Sequence, residues 1–344
     1  MFKKILSTAA AFVIAVGCAF TSFADDEVEQ GEMEIVKTEI PAPQKIVFLG
    51  DSIPAGYGLA DYVKDGETPL SSYPALLEAK YNGELSDICK CSIVNCASSG
   101  DTSSKLWQKV GTGSLDLSLI ASDVVVVSIG GNDIMGPALE FIYNDLKVTN
   151  KEQMKKFDTA KLSDAQTMQK MNAAMEKITE NISTFKVNIN KIISAIHEKT
   201  KGTVIVQTVY NPLDSDPSLA VFSGLIGAKI QEVNNTITSN SSSGDYLVCD
   251  VAGAFAGKSK EYTNIDDFDI HPNADGHKAI ADLMDQQIKK KKYEHEELKE
   301  VGDSSSSGKK KISKGELYLT LGLFFGGFLI LIVVVTIIFR KKTS

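Results

Sequence analysis

Asp123-Val124-Val125-Val126-Val127-Ser128-Ile129, running directly into Gly130-Gly131-Asn132-Asp133, is the stretch that decides the fold. A strand with one face in water alternates apolar and polar residues, whereas consecutive valines leave no polar face. The segment therefore reads as a strand buried on both sides, which is the habit of a parallel sheet. Working outward, Lys45–Leu49, Ser92–Cys96, Thr203–Tyr210 and, more weakly, Tyr246–Cys249 have the same β-rich character. Helical stretches separate them, at roughly 72–82, 134–146, within 163–200, 217–239 and 274–290. Asn273 stands ahead of the last as an N-cap. Strands alternating with helices specify a three-layer α/β/α domain with a central parallel sheet. In such sheets ligands bind at the carboxyl ends of the strands, so the chemistry should lie there.

Those ends carry glycine-bearing polar clusters. After the first strand comes Gly50-Asp51-Ser52-Ile53-Pro54-Ala55-Gly56-Tyr57-Gly58, and after the second Ala97-Ser98-Ser99-Gly100-Asp101-Thr102-Ser103. The valine strand ends in Gly130-Gly131-Asn132-Asp133, and Asp269-Ile270-His271-Pro272-Asn273 precedes the last helix. An acyl-transfer enzyme needs an oxygen or sulfur nucleophile beside an imidazole base, and a carboxylate to orient the imidazole. It also needs fixed donors where the oxyanion develops, a role suited to backbone N–H groups at glycine turns and to an asparagine amide. Ser52, Gly100, Asn132 and His271 supply these types.

In this order the four clusters resemble the conserved blocks of the SGNH hydrolase superfamily, the GDSL esterases and lipases, over Gly50 to Pro272. The resemblance implies an SGNH/flavodoxin-like sheet and hydrolysis of carboxylic esters through an acyl-enzyme, with no metal and no cofactor. It makes Ser52 the nucleophile and His271 the general base. The oxyanion donors would be the backbone N–H groups of Ser52 and Gly100 and the side-chain amide of Asn132, with Asp51 shaping the nucleophile turn. The commonest family pattern has its orienting Asp three residues before the His, where this chain has Phe268. Asp269 matches the shorter Asp-x-His-Pro variant and is chosen over Asp266 and Asp267. Lipid or lysophospholipid esters and acetylated glycans are both substrate classes compatible with these residues. A catalytically silent binding module and an acyltransferase at the cell surface are the alternative functions.

Other chemistry-bearing residues read as structural. Gly56 and Gly58 serve loop geometry. His277 packs or faces solvent, and His197 and His295 receive no role. Trp107 is a core, rim or pocket residue, and Asp214 and Asp216 belong to a turn. The stretch 134–200 is expected to wall or cover the pocket.

The ends of the chain set its address. Met1-Phe2-Lys3-Lys4, an apolar run from Ile5 to Phe20 and a small-residue exit at Ala24 describe a secretory signal peptide, residues 1–24. Lipidation at Cys18 ranks second. Leu319 to Phe339 carries no charge, and at ~1.5 Å per residue it matches the ~30 Å hydrocarbon core of a bilayer. A transmembrane helix at 318–339 with a cytoplasmic basic tail at 340–344 leaves the catalytic domain exported and membrane-anchored. A glycolipid-anchor signal competes, but the basic terminus opposes it. Residues 25–44 read as an acidic linker, 45–287 as the hydrolase domain, and 288–315 as a charged, serine-rich stalk. A net charge of −8 offers nucleic acid no footprint. Cys89, Cys91, Cys96 and Cys249 allow disulfides in an exported chain, with the pairing open.

Overall fold

The computed structural model describes residues 33–85, 89–300 and 311–312. Five parallel strands form the central sheet: β1 (Lys45–Gly50), β2 (Ser92–Asn95), β3 (Val124–Ser128), β4 (Thr203–Gln207) and β5 (Tyr246–Cys249). Their order is β2-β1-β3-β4-β5, with Val47 beside Val125 and Val125 beside Val204. This is the doubly wound order whose crevice opens between the first and third strands.

Alternation along the strands sorts the core into two layers. Val47, Leu49, Val125, Val127, Val204 and Val206 point into one cluster, while Ile46, Phe48, Val124, Val126 and Ile205 point into the other. The first layer is covered by α3 (Ser103–Gly111), α4 (Gly131–Glu140), α5 (Ala165–Lys199) and α6 (Ala220–Gly244). The second is covered by α2 (Tyr73–Glu84) and α7 (Ala274–Ile288), and α1 (Ser52–Ala55) is the short turn after β1. Apolar residues on both sides of the valine strand thus demand a helix layer on each face, as expected for a sheet of this kind.

Two features differ from the sequence reading. The helix placed at 134–146 begins at Gly131, because Gly130 adopts φ +109° and turns β3 directly into α4. The Gly-Gly-Asn-Asp cluster is therefore a helix entrance, with Asn132 in its first turn. Second, α5 is a core helix: Ile178, Ile182, Phe185, Ile189, Ile192 and Ile196, spaced three or four apart, are buried along it. Little of 134–200 is left to wall a pocket.

Segments read as linker and stalk also contain strands. Met33–Ile40 lies at the centre of a three-stranded sheet, between Tyr293–Glu300 and Lys311–Ile312. Charge density hid this pairing: Ile35, Val36, Thr38 and Ile40 are β-branched, and Lys37 ion-pairs with Glu296 at 2.6 Å. The expected signal peptide at 1–24, Cys18, the apolar stretch 318–339 and the tail 340–344 lie outside the described residues. Among the described residues no helix is long and apolar enough to cross a membrane.

Candidate active site

The site starts at a close approach of two strands. Gly50 ends β1 at φ +142°, and a Cβ there would lie 1.9 Å from the Ser128 carbonyl oxygen of β3. Only glycine lets the chain pass. Asp51 then donates its N–H to the same carbonyl at 3.2 Å, and its carboxylate caps α1 by accepting from the Ile53 N–H at 3.1 Å. Burial pushes the Asp51 carboxyl up to about 7; the Ile53 N–H opposes this, and the charges of Asp133 and Asp101 add to it. Ser52, the first residue of α1, is presented at the carboxyl edge of the sheet.

His271 meets it there. Its Nε2 lies 2.9 Å from Ser52 Oγ, and its Nδ1 lies 2.5 Å from Asp269 Oδ1. The same Asp269 oxygen accepts the His271 backbone N–H at 3.1 Å. An ionised Asp269 only accepts, so the imidazole carries its proton on Nδ1 and turns a lone pair toward Ser52. Burial works to raise the Asp269 pKa, but the hydrogen bonds and charge of His271, with help from Asn264, outweigh it and hold the carboxyl below its ordinary value. The offset of two residues, against the family's commoner three, is absorbed by Phe268, which adopts φ +63° and packs on Tyr143. Asp266 instead pairs with Lys151, and Asp267 is exposed on the turn before Phe268.

Residues the sequence reading assigned no part in the site fix this loop. Asn264 donates its amide to the Gly58 carbonyl at 3.0 Å, while its backbone accepts from Asp269 at 3.2 Å and donates to His271 at 2.9 Å. Tyr210 donates its hydroxyl to the Ile270 carbonyl at 2.8 Å. The Tyr57 ring lies 4.5 Å from the imidazole. Gly58, at φ +93°, would bring a Cβ to 2.9 Å from His271 Cβ and 3.3 Å from Asp269 Oδ2. Gly58 was legible as a loop glycine; Asn264, seven residues before the histidine, carries no recognisable spacing.

Asn132 shares one cavity with Ser52 and His271, and its amide donates to the Asp101 carbonyl at 2.9 Å. Its helix is tied to α3 by Asp133, which accepts from the Ser103 N–H at 2.9 Å and the Ser103 hydroxyl at 2.7 Å. Gly100 sits one residue before Asp101, at φ +82° on an open turn, and is not among the residues lining that cavity. The structure thus brings Ser52, Asp269, His271 and Asn132 together, with Gly100 on the adjoining turn.

A model of the GDSL-like lipase/acylhydrolase family matches residues 48–279, which takes in every cluster just described. The chain belongs to that family. Membership of this lipase/acylhydrolase family makes it a carboxylic-ester hydrolase. Three solved structures share the fold. A phospholipase A1 from Streptomyces albidoflavus is 20% identical with a TM-score of 0.53, covering 72% of this chain and 100% of that one. An extracellular lipase from Streptomyces rimosus is 19% identical with a TM-score of 0.52, covering 71% and 99%. The lipase Lip_vut3 from a goat rumen metagenome is 21% identical with a TM-score of 0.51, covering 71% and 96%. No curated protein matches the sequence.

The remaining chemistry-bearing residues of this GDSL hydrolase lie outside the Ser52–His271–Asp269 arrangement. His277 is fully buried, accepts the Tyr73 N–H on Nδ1 at 3.3 Å and stacks on the Tyr73 ring. Burial lowers its pKa to about 4, with the nearby His271 adding to the effect. His197 contacts the Gly244 carbonyl, and His295 contacts the Gln44 side chain. Asp214 accepts the Gly257 N–H at 2.7 Å, and Asp216 pairs with Lys151 at 3.2 Å. Trp107 lines a different groove, with Asp116, Lys191 and Lys199, that shares no residue with the Ser52 cavity. Cys91, Cys96 and Cys249 are free thiols, and Cys89, Cys91 and Cys249 are buried.

The Ser52 cavity measures about 60 Å³. Of the stretch 134–200, only Met135 reaches its wall, because the rest of that stretch is committed to the core and surface.

Proposed function

We propose that this hydrolase is a serine esterase, exported and held at the outer face of a membrane by residues 318–339, that works through an acyl-enzyme on Ser52. The observation that carries the reading is the unbroken relay from Ser52 Oγ through His271 to Asp269. His271 Nε2 takes the Ser52 proton as the oxygen attacks the ester carbonyl. Asp269 steadies the imidazolium that forms. The oxyanion is met by the Ser52 N–H, the Gly100 N–H and the Asn132 amide, fixed donors that need no reorganisation as charge develops. The proton then passes to the leaving alcohol, and water repeats the sequence to release the acid. Gly100 is carried into this scheme by the family resemblance, and its turn, joined to Asn132 through Asp101, supports the placement. The basic start and small-residue exit of 1–24 and the uncharged 318–339 support the address. Lipid esters and acetylated glycans at the cell surface are the substrate classes it would meet.

Hydrolysis of p-nitrophenyl acetate and butyrate by the full-length protein in mild detergent tests the reading. Activity that disappears with Ser52→Ala supports it. Activity that survives the substitution assigns the chemistry to another residue.

A further inference from the structure

From the cavity beside Ser52 we infer that the enzyme cleaves esters of short acyl groups, about two to four carbons, carried on alcohols of little-restricted size. The inference rests on the serine-esterase reading above and specifies its substrate.

Volume makes the first argument. A 150 Å³ apolar cavity holds a benzene molecule. The cavity of about 60 Å³ here is under half that, room for about two or three carbons beyond the carbonyl by the same scaling. Its apolar wall comes from Ile129, Met135, Val209, Pro212 and Ile270, immediately beside Ser52 and Asn132. An acetyl or butyryl methyl end therefore finds apolar contacts as soon as its carbonyl is seated at the serine.

The polar part of the lining gives the second argument. The same small cavity is also lined by polar residues, among them Asp51, Ser128, Gln207 and Thr208. Thr208 cannot swing away, because its hydroxyl donates to Asp250 at 3.0 Å and accepts the Ala252 N–H at 2.8 Å. A longer chain would press against these groups and gain little from leaving water, since apolar burial is rewarded only against apolar neighbours. The surface beside His271 is open. Tyr57, against His271, is 40% exposed, and nothing lies within 4 Å of where a Gly100 Cβ would be. His271 returns the proton to the alcohol, so the alcohol departs past this open edge.

The chemistry balances within the site. The Ser52 Oγ–carbon bond forms as its proton moves to His271 Nε2. The carbon–alcohol bond breaks as that proton passes to the alkoxide. Water then cleaves the acyl-enzyme, giving the short carboxylic acid and restoring the Ser52 hydroxyl.

Two ester series on the full-length protein decide the matter, each with Ser52→Ala as the blank. With a p-nitrophenol leaving group held fixed, kcat/KM for acetate and butyrate should exceed that for octanoate by about 10- to 200-fold, the range a mismatched apolar pocket imposes. With acetate held fixed, alcohols of matched acidity and rising bulk should change kcat/KM by less than about 10-fold on the same scale. Ser52-dependent octanoate hydrolysis equal to or faster than acetate hydrolysis would overturn the inference while leaving the esterase intact. A collapse with bulky alcohols would also overturn it, by placing the alcohol in the cavity. Absence of all Ser52-dependent hydrolysis would remove the esterase reading and this one with it. Met135→Ala, if folded, should raise the octanoate-to-acetate ratio about 10-fold; an unchanged ratio would contradict the wall assigned to Met135. If that variant does not fold, the wild-type series decides alone.

Discussion

His271 Nε2 stands 2.9 Å from Ser52 Oγ although the two residues are separated by 219 positions. The fold closes that distance with two devices, each readable as chemistry. Gly50 lets the nucleophile turn leave β1 against β3, and the Thr263–Pro272 bridge returns the chain so that Asp269 and His271 face the same edge. The kinetic expectations below depend on this juxtaposition.

In the proposed mechanism Asp269 orients the base, so Asp269→Ala should lower kcat by about 10²- to 10⁴-fold with KM little changed. Asp267→Ala should change it by less than about 2-fold, as is usual for a surface substitution away from the chemistry. Steady-state kinetics on p-nitrophenyl acetate separates the two. Equal effects would return the orienting role to the turn before Phe268.

Asn132→Ala should cost about 10²- to 10³-fold in kcat, the loss seen when one oxyanion donor is removed. A rise in KM alone, with kcat unchanged, would place Asn132 in ground-state binding instead. The circular dichroism spectrum should be unchanged, because the buried anchor of α4 is Asp133 through Ser103, and Asn132 is not part of it.

The legible part of the fold is the part fixed by local pattern. Four adjacent valines announce burial on both faces, and each cluster at a strand end announces itself by glycine and polar residues together. Illegible parts depend on long-range contacts. Asn264 acts through Gly58, some 206 residues away, and the strand Met33–Ile40 is stabilised by partners its own composition does not reveal. Phe268 at the expected carboxylate position is informative only once its left-handed backbone is seen, since that turn is what lets Asp269 reach Nδ1 from two residues away. Gly131 as a helix start was hidden for a similar reason: the positive φ of Gly130 replaces a loop.

Gly58→Ala tests the packing of that turn. The added methyl would strain the backbone at φ +93° and press His271 and Asp269 apart. A misplacement of about 1 Å costs about 100-fold in kcat, and that is the loss expected from kinetics at saturating ester. Activity within about 2-fold of the native enzyme would mean that the triad tolerates the shift.

Two buried groups give opposite pH dependences of stability. His277 titrates near 4 when folded and near 6.5 when unfolded, so the stability of its neutral form is present above pH 6.5 and lost as pH falls toward 4. Asp51 titrates near 7 folded and near 3.8 unfolded, so its contribution is present below pH 4 and lost as pH rises to 7. The two slopes oppose each other between pH 4 and 6.5. Relative to the native enzyme, His277→Gln should therefore lose stability with rising pH across that window, and Asp51→Asn should gain it. Urea titrations at several pH values measure both differences, and parallel curves for variant and native protein would contradict the buried titrations.

Lys151→Met removes the nearer cation from the buried Asp216 carboxylate, leaving Lys260 at 3.7 Å. Leaving such a group poorly paired costs about 1–3 kcal/mol, readable as a lower urea midpoint. An unchanged midpoint would mean that Lys260 compensates fully.

The most direct test of the account is covalent. A fluorophosphonate probe incubated with the full-length protein should form one adduct, located on Ser52 by peptide mass, absent in Ser52→Ala and much slower in His271→Ala. No adduct on the native protein, or an adduct on any other residue, would contradict the assignment of Ser52 as nucleophile.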